Sequence, residues 1–189
     1  MYGICGYMAN NAIENNTEIF KMLKFNDSNQ VTDSNAYIKN KVALGIYSNT
    51  KEEVFPLTKT VLGNTYTIVY DGDITNIKEL KCDMENKGYT FADSTDSEIV
   101  LTLYIHYKEK CVDFLDGVFS FAIFDEGLNS VFVCRDRLGI KPLFYTKQNG
   151  ILAFASSIKS LLKLDNVKAI VSKDELCEMF GLGPAHTPR

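Results

Sequence analysis

The chain has 189 residues, 46% of them hydrophobic, which is enough to bury one large core. A net charge of -4, an acidic pI near 5.2 and no run of like charges argue against a nucleic-acid groove or an anionic membrane surface as partner. No apolar run reaches spanning length and no signal peptide follows Met1. The five cysteines (Cys5, Cys82, Cys111, Cys134, Cys177) are widely spaced with no C-x-x-C pair, the pattern of a reducing, cytoplasmic compartment with cysteines as small core residues.

Tyr2 to Met8 is a β-prone run containing Gly3 and Gly6, and two glycines in a strand signal a close backbone approach or a bulge. Asn11 to Phe25 carries Ile13, Ile19, Phe20 and Leu23 at helical spacing behind the capping-type residues Asn10 and Asn11, which predicts a helix. Asn26 to Asn40, polar and rich in Asp and Ser, reads as a long surface loop. Strands are expected at Val42 to Tyr47 and Tyr66 to Asp71, separated by a loop around Pro56, Gly63 and Asn64.

Between Asp71 and Tyr107 the apolar period changes from two to 3.6. Ile77, Leu80 and Met84 line a helix that ends at Lys87-Gly88, a cationic last turn with a glycine cap. Ile99, Val100, Leu103, Tyr104 and Tyr107 line another, whose start Thr95-Asp96-Ser97-Glu98 has the form of a capping box. Val118 to Phe124 and Val131 to Cys134 then form a hairpin through Asp125-Glu126-Gly127, with Lys141 to Tyr145 expected as a third strand. Strands apolar on nearly every residue need cover on both faces; helices supply one face, so a second sheet must supply the other. Ile151 to Ala155 reads as a strand, Ser156 to Leu164 and Lys173 to Phe180 as helices. Residues 1–180 thus form one α/β domain of two sheets with helices outside, and the glycine- and proline-rich residues 181–189 read as a linker.

Six segments in order then carry a resemblance: Met1 to Tyr7, Tyr70 to Asn76 with Lys78-Glu79-Leu80, Ser94 to Ile99, Leu115 to Asp125, Arg135 to Tyr145, and Phe154 to Lys159. Together they resemble the glutaminase domain, a class II glutamine amidotransferase, of glutamine-hydrolysing asparagine synthetases. The resemblance implies a four-layer α/β/β/α sandwich of the N-terminal nucleophile hydrolase type. It also implies, as partner, the chain's own C-terminal synthetase domain, which amidates aspartate with ATP and magnesium and toward which residues 181–189 would lead. The domain itself is expected to take no cofactor and no metal, since His106 and His186 lack Cys or Asp at ligand spacing. Glutamine or another small amine is the expected ligand, and a homodimer stays open.

In that family a cysteine follows the initiator methionine; its own α-amine is the base and its thiolate attacks the glutamine amide. Here Tyr2 stands in that place, a phenol with a reference pKa near 10 that is a poor nucleophile toward an amide. The resemblance matches the arginine that grips the glutamine carboxylate to Ala43, with Leu44 and Ile46 as neighbouring substrate positions. The Asn-Gly-Glu triplet that builds the oxyanion hole is Asp71-Gly72-Asp73, so a carboxylate replaces the donating amide and Gly72 is kept. Asp73 is a further substrate position, and Asp96 matches the residue that holds the substrate's α-ammonium, although a helix cap explains it equally well. Without the arginine, Asp71, Asp73 and Asp96 are expected to repel, with one raised pKa or a recruited cation or amine. Cys5 is a stand-in nucleophile, but inside a strand and without an α-amine it reads first as packing. Arg135-Asp136-Arg137 reads as a self-satisfied turn or a domain contact before a phosphate site. Two functions follow from the resemblance: an asparagine-synthetase-like protein whose glutaminase chemistry is lost, or a non-catalytic structural or regulatory module of an ammonia-using synthetase. Weak amide hydrolysis by another nucleophile stands third.

Overall fold

In the computed structural model residues 2–13, 16–24, 31–50 and 52–171 are described, together with Lys173, Leu176, Cys177 and Phe180. The strands are β1 (Tyr2–Ala9), β2 (Asp33–Lys39), β3 (Val42–Ser48), β4 (Leu57–Val61), β5 (Asn64–Ile74), β6 (Gly117–Asp125), β7 (Ser130–Arg135), β8 (Phe144–Gln148) and β9 (Ile151–Ala155). The helices are α1 (Thr17–Lys24), α2 (Ile77–Asn86), α3 (Asp96–Tyr107) and the single turn α4 (Ile158–Leu161). All pairings are antiparallel, in one sheet of order β2-β3-β1-β9-β8 and another of order β4-β5-β6-β7.

Alternation along the strands decides the layers. On β1, Ile4 points between the sheets, where it meets Leu44, Ile46, Val69, Ala122, Phe124 and Phe154. Its neighbours Cys5 and Tyr7 point the other way, into a core closed by Ile19, Met22 and Leu23 of α1 and Leu161 of α4. The four-stranded sheet repeats the arrangement: Ile68, Phe121 and Ile123 pack under Leu80 and Met84 of α2 and Ile99 and Leu103 of α3. Each such large apolar side chain contributes about 1.5–3 kcal/mol through burial, and both faces of both sheets are engaged. The result is an α/β/β/α sandwich. Gly6 sits where β1 runs close to β3, since a Cβ there would lie 2.7 Å from the Ala43 carbonyl oxygen.

Five expectations need correction, the first being that the helix expected over Asn11 to Phe25 begins only at Thr17. The loop expected over Asn26 to Asn40 contains β2, a polar strand paired with β3 from Asp33↔Ser48 to Lys39↔Val42. Ladder hydrogen bonds override its low β-propensity, and its polar composition suits a sheet edge. The loop around Pro56 and Gly63 is a hairpin, β4 to β5. Lys141 to Tyr145 is not a third strand of the β6–β7 hairpin: Lys141 and Pro142 cross over to the other sheet, where Phe144 begins β8 opposite Ala155. Proline, with no N–H to give a ladder, marks that crossover. The helix from Ser156 is one turn long. The linker 181–189 lies outside the described residues, as does half of the helix expected over Lys173 to Phe180.

Candidate functional site

A cleft of about 260 Å³ opens beside the first residue of β1. It is lined by Tyr2, Ile46 of β3, Tyr70 and Gly72 of β5, Asp96 at the start of α3, and Phe55 from the loop before β4. Gly72 is required there by space, because a Cβ would come within 2.6 Å of the Val118 carbonyl oxygen on β6.

Each functional side chain has a local cause for its position. The Tyr2 hydroxyl donates to the Glu52 carboxylate, and this bond, with partial burial and the charge of Glu52, raises the phenol above its ordinary pKa. Asp96 Oδ2 accepts from the Ile74 backbone N–H at 3.0 Å and from the Tyr70 hydroxyl at 3.3 Å. Burial, then the Asp96 charge, push the Tyr70 phenol up. The cap of α3 belongs to Thr95, whose Oγ1 accepts from Glu98 N–H at 3.3 Å. Glu98 does not close the box on Thr95; its carboxylate accepts from the N–H groups of Ala92, Asp93 and Ser94 and fixes the loop that leads into the cleft.

Asp71 lies behind the cleft. It is 3% exposed, and its Oδ1 accepts from Lys141 Nζ at 2.6 Å. Burial raises its carboxyl above the ordinary range, and the Lys141 ammonium offsets part of that rise. Lys141 is delivered by the turn that follows β7, in which the Asp136 carboxylate accepts from the N–H groups of Ile140 and Lys141, each at 3.0 Å. Burial opposes the ionised form of Asp136, but those backbone bonds hold it below its usual value. Arg135-Asp136-Arg137 is therefore a turn organised on its own aspartate.

The fold brings Tyr2, Ile46, Gly72 and Asp96 together. It does not bring Ala43 or Leu44. Tyr2 is level with Ser48, whereas Ala43 pairs with Tyr7, five residues along the ladder and about 16 Å away at strand rise. Ala43 is buried beneath α1, and Leu44 belongs to the core between the sheets. Segment matching puts the anchor at Ala43; the strand register puts Ser48 level with Tyr2. Ser48 is uncharged, and its hydroxyl accepts from Thr50 N–H at 3.0 Å. No Arg or Lys is among the described residues that line the cleft. Nor do the aspartates form one cluster, since Asp71 is paired with Lys141 and Asp73 is exposed. Cys5 is buried on the opposite face of β1 from Ile4, and burial drives its thiol pKa up, which disfavours the thiolate that a nucleophile needs. Tyr70, Phe55, Glu52 and Lys141 were not singled out as site residues; the period-two position of Tyr70 beside Gly72 was a usable signal, but the reach of Lys141 across 70 residues was not.

One consequence is testable at once. Ala43→Arg should destabilise the domain by about 4 kcal/mol or more in urea unfolding, because it buries an unpaired guanidinium under α1. It should not improve glutamine binding.

A family described as "Glutamine amidotransferase domain" matches residues 1–189. Asparagine synthetase [glutamine-hydrolyzing] 3 of Bacillus subtilis is 44% identical over 133 residues, which cover 70% of this chain and 22% of that protein. Asparagine synthetase [glutamine-hydrolyzing] 1 of the same organism is 43% identical over 102 residues, 54% of this chain and 16% of that protein. The matched part thus spans about a fifth or less of the length of these relatives. Among solved structures, the glutamine phosphoribosylpyrophosphate amidotransferase of B. subtilis superposes with a TM-score of 0.66 at 18% identity, over 84% of this chain and 42% of that one. That likeness supports the fold alone: two antiparallel sheets between helices, of the N-terminal nucleophile hydrolase type. By its whole-length match and these relatives, the chain belongs to the family of glutamine amidotransferase domains, as a glutaminase-type domain similar to those of asparagine synthetases.

Proposed function

We propose that this is the glutaminase-type module of an asparagine-synthetase-like protein and that it no longer hydrolyses glutamine. The observation that carries the proposal is Tyr2 at the position of the family's nucleophile, its hydroxyl committed to Glu52 and harder to ionise than a free phenol. Asp71 stands at the position of the family's donating amide, and its carboxylate, held by Lys141 behind the cleft, has no N–H to give an oxyanion. The described lining of the cleft has no cation for a substrate carboxylate. The module's remaining role is structural or regulatory, and the attached synthetase, working with ATP and magnesium, draws on free ammonia. The free state of Cys5, Cys82, Cys111, Cys134 and Cys177 accords with a cytoplasmic setting.

An apolar face supports an attached domain. Leu138 and Tyr145 are 86% and 77% exposed. Together with Phe114, Ile140 and Leu143 they border two adjoining cavities of about 380 and 620 Å³ that share Cys134 and Arg135. Exposed apolar surface of this kind marks an interface. Leu138→Glu should therefore change the stability of the isolated domain by no more than about 0.5 kcal/mol in urea unfolding, yet weaken its association with a synthetase domain supplied in trans.

The functional test uses the longer protein that carries this domain, with aspartate, ATP and magnesium and either ammonium or glutamine as nitrogen source. Asparagine should form with ammonium only. Equal rates with glutamine would contradict the proposal.

A further inference from the structure

At the other end of β1 from Tyr2, a second and larger cavity of about 630 Å³ lies between α1 and the turn that joins β8 to β9. Its volume is in the range of small-molecule sites. Tyr7 and Ile151 are its buried lining residues, and the side chains of Asn10, Asn11 and Asn166 stand at its rim. The rim is fixed: Asn10 N–H donates to the Gly150 carbonyl at 3.1 Å, and Asn149 Nδ2 donates to the Asn166 carbonyl at 2.9 Å.

Two groups of this cavity are chemically unspent. The Tyr7 hydroxyl, on a residue only 1% exposed, has no hydrogen-bond partner among the described residues. A buried hydroxyl without a partner costs about 1–3 kcal/mol, a cost that a ligand entering the cavity would relieve. The second group is Glu18. Of the ionic side chains lining the cavity among the described residues, Lys21 and Asp165 neutralise one another at 3.2 Å, and Glu18 is left without a counter-ion. Glu18 is close enough that, after burial, its charge is the next cause pushing the Tyr7 phenol up to about 12, so the phenol stays protonated and neutral. A carboxylate and a neutral hydroxyl lining one cavity under a rim of carboxamides suit a ligand that brings several N–H donors and one positive charge.

We infer that the cavity between α1 and the β8–β9 turn binds a small polar organic ammonium ion, such as a free amino acid or a hydroxylated amine, with its ammonium on Glu18 and the Tyr7 hydroxyl. The remainder of the ligand meets the amides of Asn10, Asn11 and Asn166. This site is separate from the Tyr2 cleft, and no residue lines both.

The experiment is a thermal-unfolding titration of the chain with ethanolamine, L-asparagine and, as a neutral control, glycerol, at fixed ionic strength. It is run on the parent and on Tyr7→Phe, Glu18→Gln and Asp96→Asn. A ligand that binds only the folded state raises the melting temperature by mass action, about 3 °C at ten times its Kd for a domain of this size. At least one of the two amines should give that shift in the parent and in Asp96→Asn and lose it in Tyr7→Phe and Glu18→Gln. Tyr7→Phe removes only an unpartnered hydroxyl, so it should melt at or above the parent temperature and its loss of response is not a folding defect. The inference is overturned by no shift with either amine, by an equal shift with glycerol, by a shift that survives both cavity substitutions, or by one that disappears in Asp96→Asn instead.

Discussion

Lys141→Met is expected to cost the domain about 4 kcal/mol at pH 7, with a penalty that shrinks as the pH falls. The substitution leaves Asp71 buried without its ammonium partner, the situation in which broken buried pairs cost about 3–5 kcal/mol. An upper limit comes from protonation. The folded protein can take up a proton on Asp71 in place of holding a naked charge, and neutralising a carboxyl of reference pKa near 3.9 at pH 7 costs about 4 kcal/mol. The sign follows from the same step. The carboxyl of Asp71 is already raised in the folded state, by burial first, and loss of Lys141 raises it further. A group whose folded pKa is raised favours the folded state below its unfolded pKa and loses that contribution as pH rises through the folded value. The deficit of Lys141→Met should therefore fall by about 1.4 kcal/mol per pH unit from pH 7 toward pH 4. Asp71→Asn in the same chain should recover most of it. Urea unfolding of the parent, the single and the double variant at pH 4, 5.5 and 7 reads both effects, and a deficit independent of pH would show that Lys141 acts by packing alone.

Tyr2→Cys on its own should leave the domain at least about ten-thousandfold below a functioning glutaminase, even after removal of Met1. Loss of one oxyanion donor alone costs about a hundred- to a thousandfold, and here a carboxylate stands in its place. Groups that act as a unit do not contribute singly, so a thiolate without an anchor or an oxyanion hole has little to amplify. The double change Tyr2→Cys, Asp71→Asn addresses the nucleophile and the oxyanion hole at once. It should exceed the single change in glutamate release. Near-full activity from Tyr2→Cys alone would mean that Asp71 and the uncharged lining do not matter.

Much of the architecture is legible in the sequence because burial writes itself into periodicity. The apolar runs of β6 and β9, the 3.6 spacing of α2 and α3, and the need for a second sheet all express which faces meet other elements. The Thr95 cap is legible because it is local. What could not be read are the relations set by pairing. β2 is polar and becomes a strand only because β3 supplies its ladder. The crossover of Lys141 and Pro142 from one sheet to the other depends on Asp136 closing a turn, and that turn alone sets Lys141 against Asp71. The place of Ala43 in the fold is another such relation: a segment match carries no register, and in a ladder five residues lead to a different part of the molecule.

The most direct measurement is hydrolysis of amide-labelled glutamine by the purified chain, followed as glutamate and ammonium release by NMR over hours at pH 7–8. No release above the uncatalysed background is expected, in the parent or in Cys5→Ala. Turnover by the parent would contradict the loss of glutaminase chemistry, and turnover abolished by Cys5→Ala would show that the buried thiol of β1 reaches substrate after all.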